Sequence, residues 1–157
     1  MTPMLAPLSV EWFRALQRQM NATPEKYRRI GASDVRMVVR VVGGNGPATD
    51  RAVGLVFGDY GCAEVCEVAD ARTFDPDFTI EGPCDAWTEM VENIRQHGGA
   101  DARHTLNTLV LMHHPLRVTG DDQSRVDLFA RYNYTLQEFF NEAGALEGMV
   151  GQPPEAR

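Results

Sequence analysis

Two adjacent histidines, His113 and His114, form the densest pair of titratable rings in the chain. Neighbouring residues on an extended segment point to opposite sides, so this pair is poorly placed to bind one metal ion together. His97 and His104 do not stand at a familiar ligand spacing from the pair. The pattern favours a polar turn ahead of Pro115 over a catalytic acid or base, and over a metal site.

The cysteines are the second group that could carry chemistry. Cys62 and Cys66 are four residues apart on a predicted strand, so both side chains are expected on one face of the sheet. A redox or zinc pair more usually has the spacing Cys-x-x-Cys together with further ligands, and Cys84 supplies no second pair. We interpret all three as small core or surface thiols. Because three cysteines cannot all form disulfides, the count favours the reducing cytoplasm.

Acidic residues cluster in the stretch from 70 to 85, namely Asp70, Asp75, Asp77, Glu81 and Asp85. Two carboxylates in one cleft could perform general acid–base catalysis. The same residue types are common in turns and helix caps, and Asp77 and Asp85 stand where such residues belong. Glycine motifs for phosphate binding are absent, because the run at 43–46 lies between two predicted strands with no helix behind it.

Composition limits the classes of partner. The chain has 157 residues, of which 43% are hydrophobic and 24% charged, as expected for one globular domain. A net charge of −7 argues against nucleic acid or an anionic membrane as a standing partner, since both need a basic surface. No run approaches the roughly 18 apolar residues of a membrane span, and Met1 to Val10 lacks the features of a signal peptide. We therefore predict a single domain over residues 1–157, with no integral membrane association.

The first half of the chain predicts two helices followed by an antiparallel meander. Residues 9–21 place Phe13, Leu16 and Met20 at helical spacing after Ser9, a plausible N-cap, and a shorter helix runs from Thr23 to Gly31. Three segments rich in β-branched residues then follow at hairpin spacing. These segments predict strands at 34–42, 51–58 and 62–69.

The second half predicts further strands and two longer helices. Residues 78–81 read as a strand, and a helix from Asp85 to Gly98 carries an apolar stripe. Residues 108–112 and 116–119 look like short strands. A long amphipathic helix at about 122–143 closes the domain, Gly144 ends it, and the tail at 145–157 is expected to be flexible. The fold class is therefore α+β, with helices covering a curved antiparallel sheet of about five to six strands.

The run from Phe78 to Trp87 (FTIEGPCDAW) resembles a segment of sterol carrier protein 2-like domains, in which a strand leads into a helix with an apolar stripe. Residues 109–111, followed by Leu116 to Asp121 (LRVTGD), resemble that family's hairpin, which leads into a C-terminal helix, here Arg125 to Phe140. The resemblance is best over residues 51–143. The histidine pair with Pro115, and the longer stretch from 94 to 107, depart from the family pattern.

The resemblance implies a protein that binds lipids, sterols or fatty acyl chains in a hydrophobic tunnel between sheet and helices, without a metal or organic cofactor. The implied ligand-binding residues are Trp87, Met90, Val91, Ile94, Leu109, Leu111, Phe129, Tyr132, Leu136, Phe139 and Phe140. Leu109 and Leu111 would contribute from the sheet, and the Tyr132 hydroxyl would orient a polar head group. From composition alone, the same stripes favour an ordinary core over a tunnel.

The leading hypothesis is a non-catalytic cytoplasmic carrier of a hydrophobic small molecule, as a homodimer or serving a client metabolic enzyme. The alternative is a small isomerase, cyclase or hydratase of the α+β cone type, with Asp77, Asp85, His104 or His113 as the catalytic acid or base. A third hypothesis is an assembly domain with a dimeric sheet or helix face. Catalysis requires one of these four side chains to be buried in a pocket.

Overall fold

A five-stranded sheet forms the centre of the described structure, a computed structural model covering residues 5–43, 50–112 and 115–149. Its strands are β1 (Ser33–Val42), β2 (Arg51–Asp59), β3 (Gly61–Glu67), β4 (Phe78–Pro83) and β5 (Arg117–Thr119). The helices of the described residues are α1 (Val10–Ala22), α2 (Pro24–Ile30), α3 (Ala71–Phe74), α4 (Cys84–His97), α5 (Leu106–Leu111), α6 (Gln123–Val126), α7 (Leu128–Asn141) and α8 (Ala143–Met149).

The strands are arranged in the order β3-β2-β1-β4-β5. The pairs β1–β2, β2–β3 and β4–β5 are antiparallel, which confirms the predicted meander and the fold class. The β1–β4 pair is parallel, so the sheet is mixed and mostly antiparallel. This difference arises because the chain leaves β3 at one edge, forms α3, and returns to the other side of β1.

The two faces of the sheet have different environments because side chains alternate along each strand. On β1, Val35, Met37 and Val39 are at most 1% exposed and face the helices of the core. On the opposite, outer face, the Phe74 ring of α3 lies directly on Gly54 of β2, where a Cβ atom would approach the ring to 2.6 Å. The main core therefore lies on one side of the sheet, and α3 covers only a patch of the other.

A β-bulge changes the orientation of the cysteines. The β2–β3 register shifts between Val56 and Phe57, so one residue of β3 has no partner. Cys62 faces the core and is 2% exposed, whereas Cys66 pairs with Gly54 and lies on the outer face. The prediction that the two cysteines share a face is therefore wrong.

The outer edge of β3 is covered by polar side chains of α1. The Asn21 side chain accepts a hydrogen bond from the Cys62 backbone N–H at 2.8 Å and donates to the Cys62 carbonyl at 3.0 Å. Gln17 donates to the same carbonyl at 3.1 Å. Asn21 thus replaces a neighbouring strand, which protects an edge that could otherwise pair with another chain.

Several predicted helix boundaries are confirmed by their caps. The Ser9 hydroxyl accepts a hydrogen bond from the Trp12 backbone N–H at 3.1 Å, as an N-cap does. Gly98 ends α4 with φ of 82°, and its N–H donates to the Ile94 carbonyl at 2.7 Å. A positive φ is readily adopted only by glycine, which explains why α4 ends there.

The predicted strand at 108–112 is wrong, since residues 106–111 form helix α5. The Thr105 hydroxyl caps this helix by accepting a hydrogen bond from the Thr108 N–H at 3.1 Å. A short apolar run has no periodicity that distinguishes a strand from a buried helix. In this segment the Thr105 cap favours the helix. Leu109 and Leu111 consequently lie on a helix, and β5 pairs with β4 without the predicted hairpin partner.

The predicted single closing helix is divided into α6, α7 and α8, with breaks at Asp127 and Glu142. Gly144 lies inside α8 and does not end the last helix, which corrects that prediction. A Cβ at Gly144 would lie 3.2 Å from the Gly98 Cα, so a small residue lets α8 approach the end of α4. The predicted tail begins within α8, and residues 150–157 lie outside the described residues.

Candidate functional site

Aromatic rings from α4 and α7 meet over the inner face of the sheet. Trp87 of α4 stacks on Phe140 of α7 with ring centroids 5.7 Å apart and an interplanar angle of 25°. The neighbouring Phe139 contacts Phe57 of β2 edge-on at 5.1 Å. Both helices reach the sheet because their apolar residues recur at helical spacing on one side. The result is a continuous apolar layer between sheet and helices.

The polar end of the Trp87 ring is satisfied within the protein. Its indole N–H donates to the Arg40 carbonyl of β1 at 3.3 Å. Across residues 5–43, 50–112 and 115–149, every buried side-chain nitrogen or oxygen has a hydrogen-bond partner. The layer is therefore apolar, and its buried polar atoms are already paired.

Most of the predicted ligand-binding residues come together in this layer. The residues at most 7% exposed are Trp87, Met90, Val91, Ile94, Leu109, Phe129, Leu136, Phe139 and Phe140. Tyr132 is half-buried at the margin of the layer and packs against it. Leu111 is 57% exposed on α5 and faces solvent.

The predicted ligand-binding set omits part of the layer. Phe13 and Met20 of α1 and Met37 of β1 are fully buried in it, although the helical spacing of α1 and the alternation along β1 place them on apolar faces. The set also omits Leu106, just before the predicted strand at 108–112, and Leu116, at the start of the predicted strand at 116–119. Leu116 is 1% exposed and packs on Gly82 at the end of β4, so this segment closes one margin of the layer.

A buried polar cluster joins α2 to the junction of α7 and α8. The Tyr27 hydroxyl donates to the Glu142 carboxylate at 2.6 Å, and the Lys26 ammonium lies 2.9 Å from the same carboxylate. Glu138 approaches that ammonium at 3.3 Å. Tyr27 is fully buried and Glu142 is 4% exposed. Burial, together with the Glu142 carboxylate, raises the pKa of Tyr27, so the hydroxyl keeps its proton and remains the donor.

The candidate catalytic residue Asp77 takes part in a structural clamp. Its carboxylate accepts hydrogen bonds from the Arg125 side chain of α6 and from the Arg36 backbone N–H of β1, both at 2.9 Å. Arg125 also reaches Asp75 at 3.2 Å. The clamp attaches the α3–β4 loop to the helix that precedes α7. Hydrogen bonds to both Asp77 and Asp75 raise the pKa of the Arg125 guanidinium.

The other candidate acids and bases lie on the solvent side of α4 or outside the described residues. Asp85 is exposed in the first turn of α4, where a carboxylate favours the helix N-terminus. Asp85 and His104 line an open cleft of about 500 Å³, together with Glu89 and Glu92. His113 and His114 lie outside the described residues. The structure does not bring Asp77 into the cleft that contains Asp85 and His104.

His104 binds a carboxylate at each ring nitrogen. Nδ1 lies 2.7 Å from Asp101, and Nε2 lies 2.9 Å from Glu89. The hydrogen bond with Asp101 raises the pKa of His104, and the hydrogen bond with Glu89 adds to it. The same contact with His104 lowers the pKa of Asp101 to about 2. This pair of contacts favours the imidazolium form.

Potential metal ligands do not cluster in the described part of the chain. Among the described side chains, no group of three or more His, Cys, Asp or Glu residues could hold a metal ion. Within the same ranges, no helix has the length and apolar character needed to cross a lipid bilayer.

Comparisons with known proteins give matches among solved structures. No family model matches the sequence, and no curated protein matches it. A crystal structure of sterol carrier protein 2 superposes with a TM-score of 0.65 at 18% identity, covering 88% of this chain and 98% of that one. The fold is that of sterol carrier protein 2. A conserved hypothetical protein from Thermus thermophilus, described as possibly a sterol carrier protein, has a TM-score of 0.63 at 20% identity, with 93% and 95% coverage.

The sterol carrier protein 2 fold confirms the family resemblance at the level of architecture. The resembling run at 78–87 is strand β4 leading directly into α4, with Trp87 in the core. The resembling run at 116–121 contains β5 and precedes α6 and α7. The part of the resemblance that fails is the strand at 109–111, which is helical.

Proposed function

We propose that this protein binds and carries a hydrophobic small molecule of the lipid, sterol or fatty acyl type between its sheet and helices α4 and α7. The observation that supports it is the apolar layer between those elements, in a sterol carrier protein 2 fold. The proposed lining comprises Trp87, Met90, Val91, Ile94, Leu109, Phe129, Leu136, Phe139 and Phe140. Tyr132, half-buried at the margin, would meet the polar end of the molecule, and Leu111 would contact it from the solvent side.

Methionines in the layer support the proposal. Met20, Met37 and Met90 come from α1, β1 and α4, and each is fully buried. A methionine side chain has three rotatable bonds and a polarisable sulfur, so it adapts to neighbours of different shape. A core that contains three such residues can rearrange around an apolar molecule at lower cost than one made of branched side chains. This property also favours acceptance of more than one ligand.

The proposed cellular setting is the reducing cytoplasm. The support is the cysteine count, because Cys62, Cys66 and Cys84 cannot all form disulfides. Burial raises the pKa of Cys62 to about 12, so that thiol is protonated and unreactive at neutral pH. As the partner we propose either a second copy of this chain, in a homodimer, or a client metabolic enzyme.

Native mass spectrometry of the purified protein, followed by organic extraction, tests the proposal. We expect a co-purified apolar molecule, or stoichiometric binding of a fluorescent fatty acid or sterol to the extracted protein. At a ligand concentration of 100 times Kd, binding should stabilise the fold by about 2.7 kcal/mol. For a domain of this size that corresponds to a rise in Tm of roughly 5–11 °C.

A matched pair of variants locates the site. Phe140→Leu changes the buried surface that contacts Trp87, and it should alter the affinity for the probe. Tyr134→Leu makes a matched aromatic-to-leucine change on the same helix, at a residue that is 75% exposed and outside the proposed lining, and it should leave affinity within about threefold. Extracted protein that binds neither a fluorescent fatty acid nor a fluorescent sterol would contradict the proposal.

A further inference from the structure

Residues 98–106, here called the strap, run from the end of α4 back along that helix to the start of α5. The Asn93 side chain of α4 accepts a hydrogen bond from the Asp101 N–H at 2.8 Å and donates to the Asp101 carboxylate at 3.0 Å. One turn earlier on α4, Glu89 binds His104 at 2.9 Å. The strap is therefore attached to α4 at two successive turns.

The strap is also attached to α7. The Ala100 N–H donates to the Asn141 side chain at 3.1 Å, and the Leu106 N–H donates to the Gln137 side chain at 2.6 Å. Gln137 donates in turn to Asn141 at 3.1 Å, so the two α7 side chains form one unit. The strap thus connects α4 and α7, the helices that supply the stacked Trp87 and Phe140.

The contacts of His104 require a particular protonation state. Ionised carboxylates only accept hydrogen bonds, so both ring nitrogens must carry protons to bind Asp101 and Glu89 together. Asp85 and Glu92 of α4 line the same cleft, and Glu92 is already paired with Arg95 at 3.1 Å. On α7 the strap binds the uncharged amides of Gln137 and Asn141, and on the strap itself Arg103 is exposed. The carboxylates around His104 favour the imidazolium.

We propose that His104 is a proton-operated latch, whose charged form holds the strap to α4 through Glu89 and whose neutral form releases that contact. Release would loosen the connection between α4 and α7 and speed the exchange of an apolar ligand between them. The effect on ligand exchange rests on the proposed function, whereas the effect of the His104 proton on the strap depends only on the geometry of the strap.

The direction of the pH effect follows from the contacts. The pKa of His104 is raised in the folded protein, so its contribution is complete below about 6.5, the value of an unperturbed histidine. The contribution is lost as pH rises through the raised pKa. An exposed or partly exposed ion pair changes an equilibrium constant by about 1.4- to 5-fold. Because Asp101 belongs to the strap itself, the contact with Glu89 is the one that attaches His104 to α4, and strap protection should fall by about 1.4- to 5-fold across the titration.

Hydrogen exchange measured between pH 5.5 and 9 tests the latch directly. The readout is the protection factor of strap amides relative to β1 amides, which removes the intrinsic pH dependence of exchange. We expect the fall in protection to follow the NMR titration of His104 in the wild type and to be absent in His104→Gln. Glu89→Gln should move both midpoints to lower pH, because it removes one carboxylate. His97→Gln is the matched control, since His97 is an exposed histidine of α4 outside the strap.

Ligand exchange is measured separately with dehydroergosterol, a fluorescent sterol without a titratable group in this range. Faster release at high pH in the wild type, but not in His104→Gln, supports the complete proposal. If the rate of sterol release is independent of pH while strap protection changes with pH, the coupling of the latch to ligand exchange is refuted. If dehydroergosterol does not bind, the proposed function loses support for sterols. The latch is then tested by the pH dependence of strap protection alone. Strap protection that is independent of pH, or unchanged in its pH dependence in His104→Gln, overturns the latch.

Discussion

Replacing Tyr27 by phenylalanine removes one buried hydroxyl and leaves the ring in place. That hydroxyl donates to the Glu142 carboxylate at 2.6 Å, between a fully buried side chain and one that is 4% exposed. A hydrogen bond to a charged group contributes about 1.5–3 kcal/mol. Lys26 remains 2.9 Å from the carboxylate in the variant, so the lower part of this range applies. We expect Tyr27→Phe to lower the free energy of unfolding by about 2 kcal/mol.

Urea denaturation at pH 7 measures this change, with an unaltered slope of free energy against urea. The melting temperature should fall by roughly 4–8 °C. Tyr134→Phe is the matched control, because Tyr134 is 75% exposed, and it should stay within about 0.5 kcal/mol of the wild type. In the Glu142→Gln background the acceptor is neutral, and Tyr27→Phe should cost only about 1 kcal/mol. A loss below about 0.5 kcal/mol in the wild-type background would refute the assigned hydrogen bond.

Two further substitutions test the sheet. Gly54→Ala would place a Cβ 2.6 Å from the Phe74 ring and should destabilise the fold by about 1–3 kcal/mol, measured by urea denaturation. Gly58→Ala, which meets no atom within 4 Å, should have a much smaller effect, and equal losses would contradict the assigned contact. Asn21→Ala removes the hydrogen bonds to the Cys62 backbone and should cost about 1 kcal/mol. It should also increase light scattering at high protein concentration because the β3 edge is uncovered, and a variant as stable and monodisperse as the wild type would exclude that role.

The parts of the fold that the sequence predicted are those with clear periodicity or caps. The α1 stripe, the three-strand meander and the α4 stripe with Gly98 all have patterns longer than one turn or one strand pair. The family resemblance implied that Trp87 and Phe140 line a common apolar layer from two helices, and their rings stack on each other. Local sequence sufficed here because burial, spacing and termination signals agree.

The features that the sequence did not predict depend on contacts distant in the chain. Helix α5 has a local cap at Thr105, but its position depends on the hydrogen bond from the Leu106 N–H to Gln137, which lies 31 residues further on. The bulge that separates Cys62 from Cys66 arises from the register with β2, and a single-strand pattern contains no information on register. The parallel β1–β4 pair follows from the path of the chain through α3. The environment of His104 likewise depends on Glu89, 15 residues earlier on another element.

The cost of an empty cavity places a physical constraint on how this fold could act as a carrier. An unfilled cavity of about 300 Å³ would cost about 7 kcal/mol at roughly 24 cal/mol per Å³. That is comparable to the total stability of a typical domain, about 5–15 kcal/mol. A carrier of this size is therefore more stable without cargo if its own side chains move into the space. The three buried methionines and the stacked Trp87 and Phe140 are the side chains proposed to do this. Uptake then requires side chains to exchange places with the ligand, which makes the tie between α4 and α7 the natural point of control.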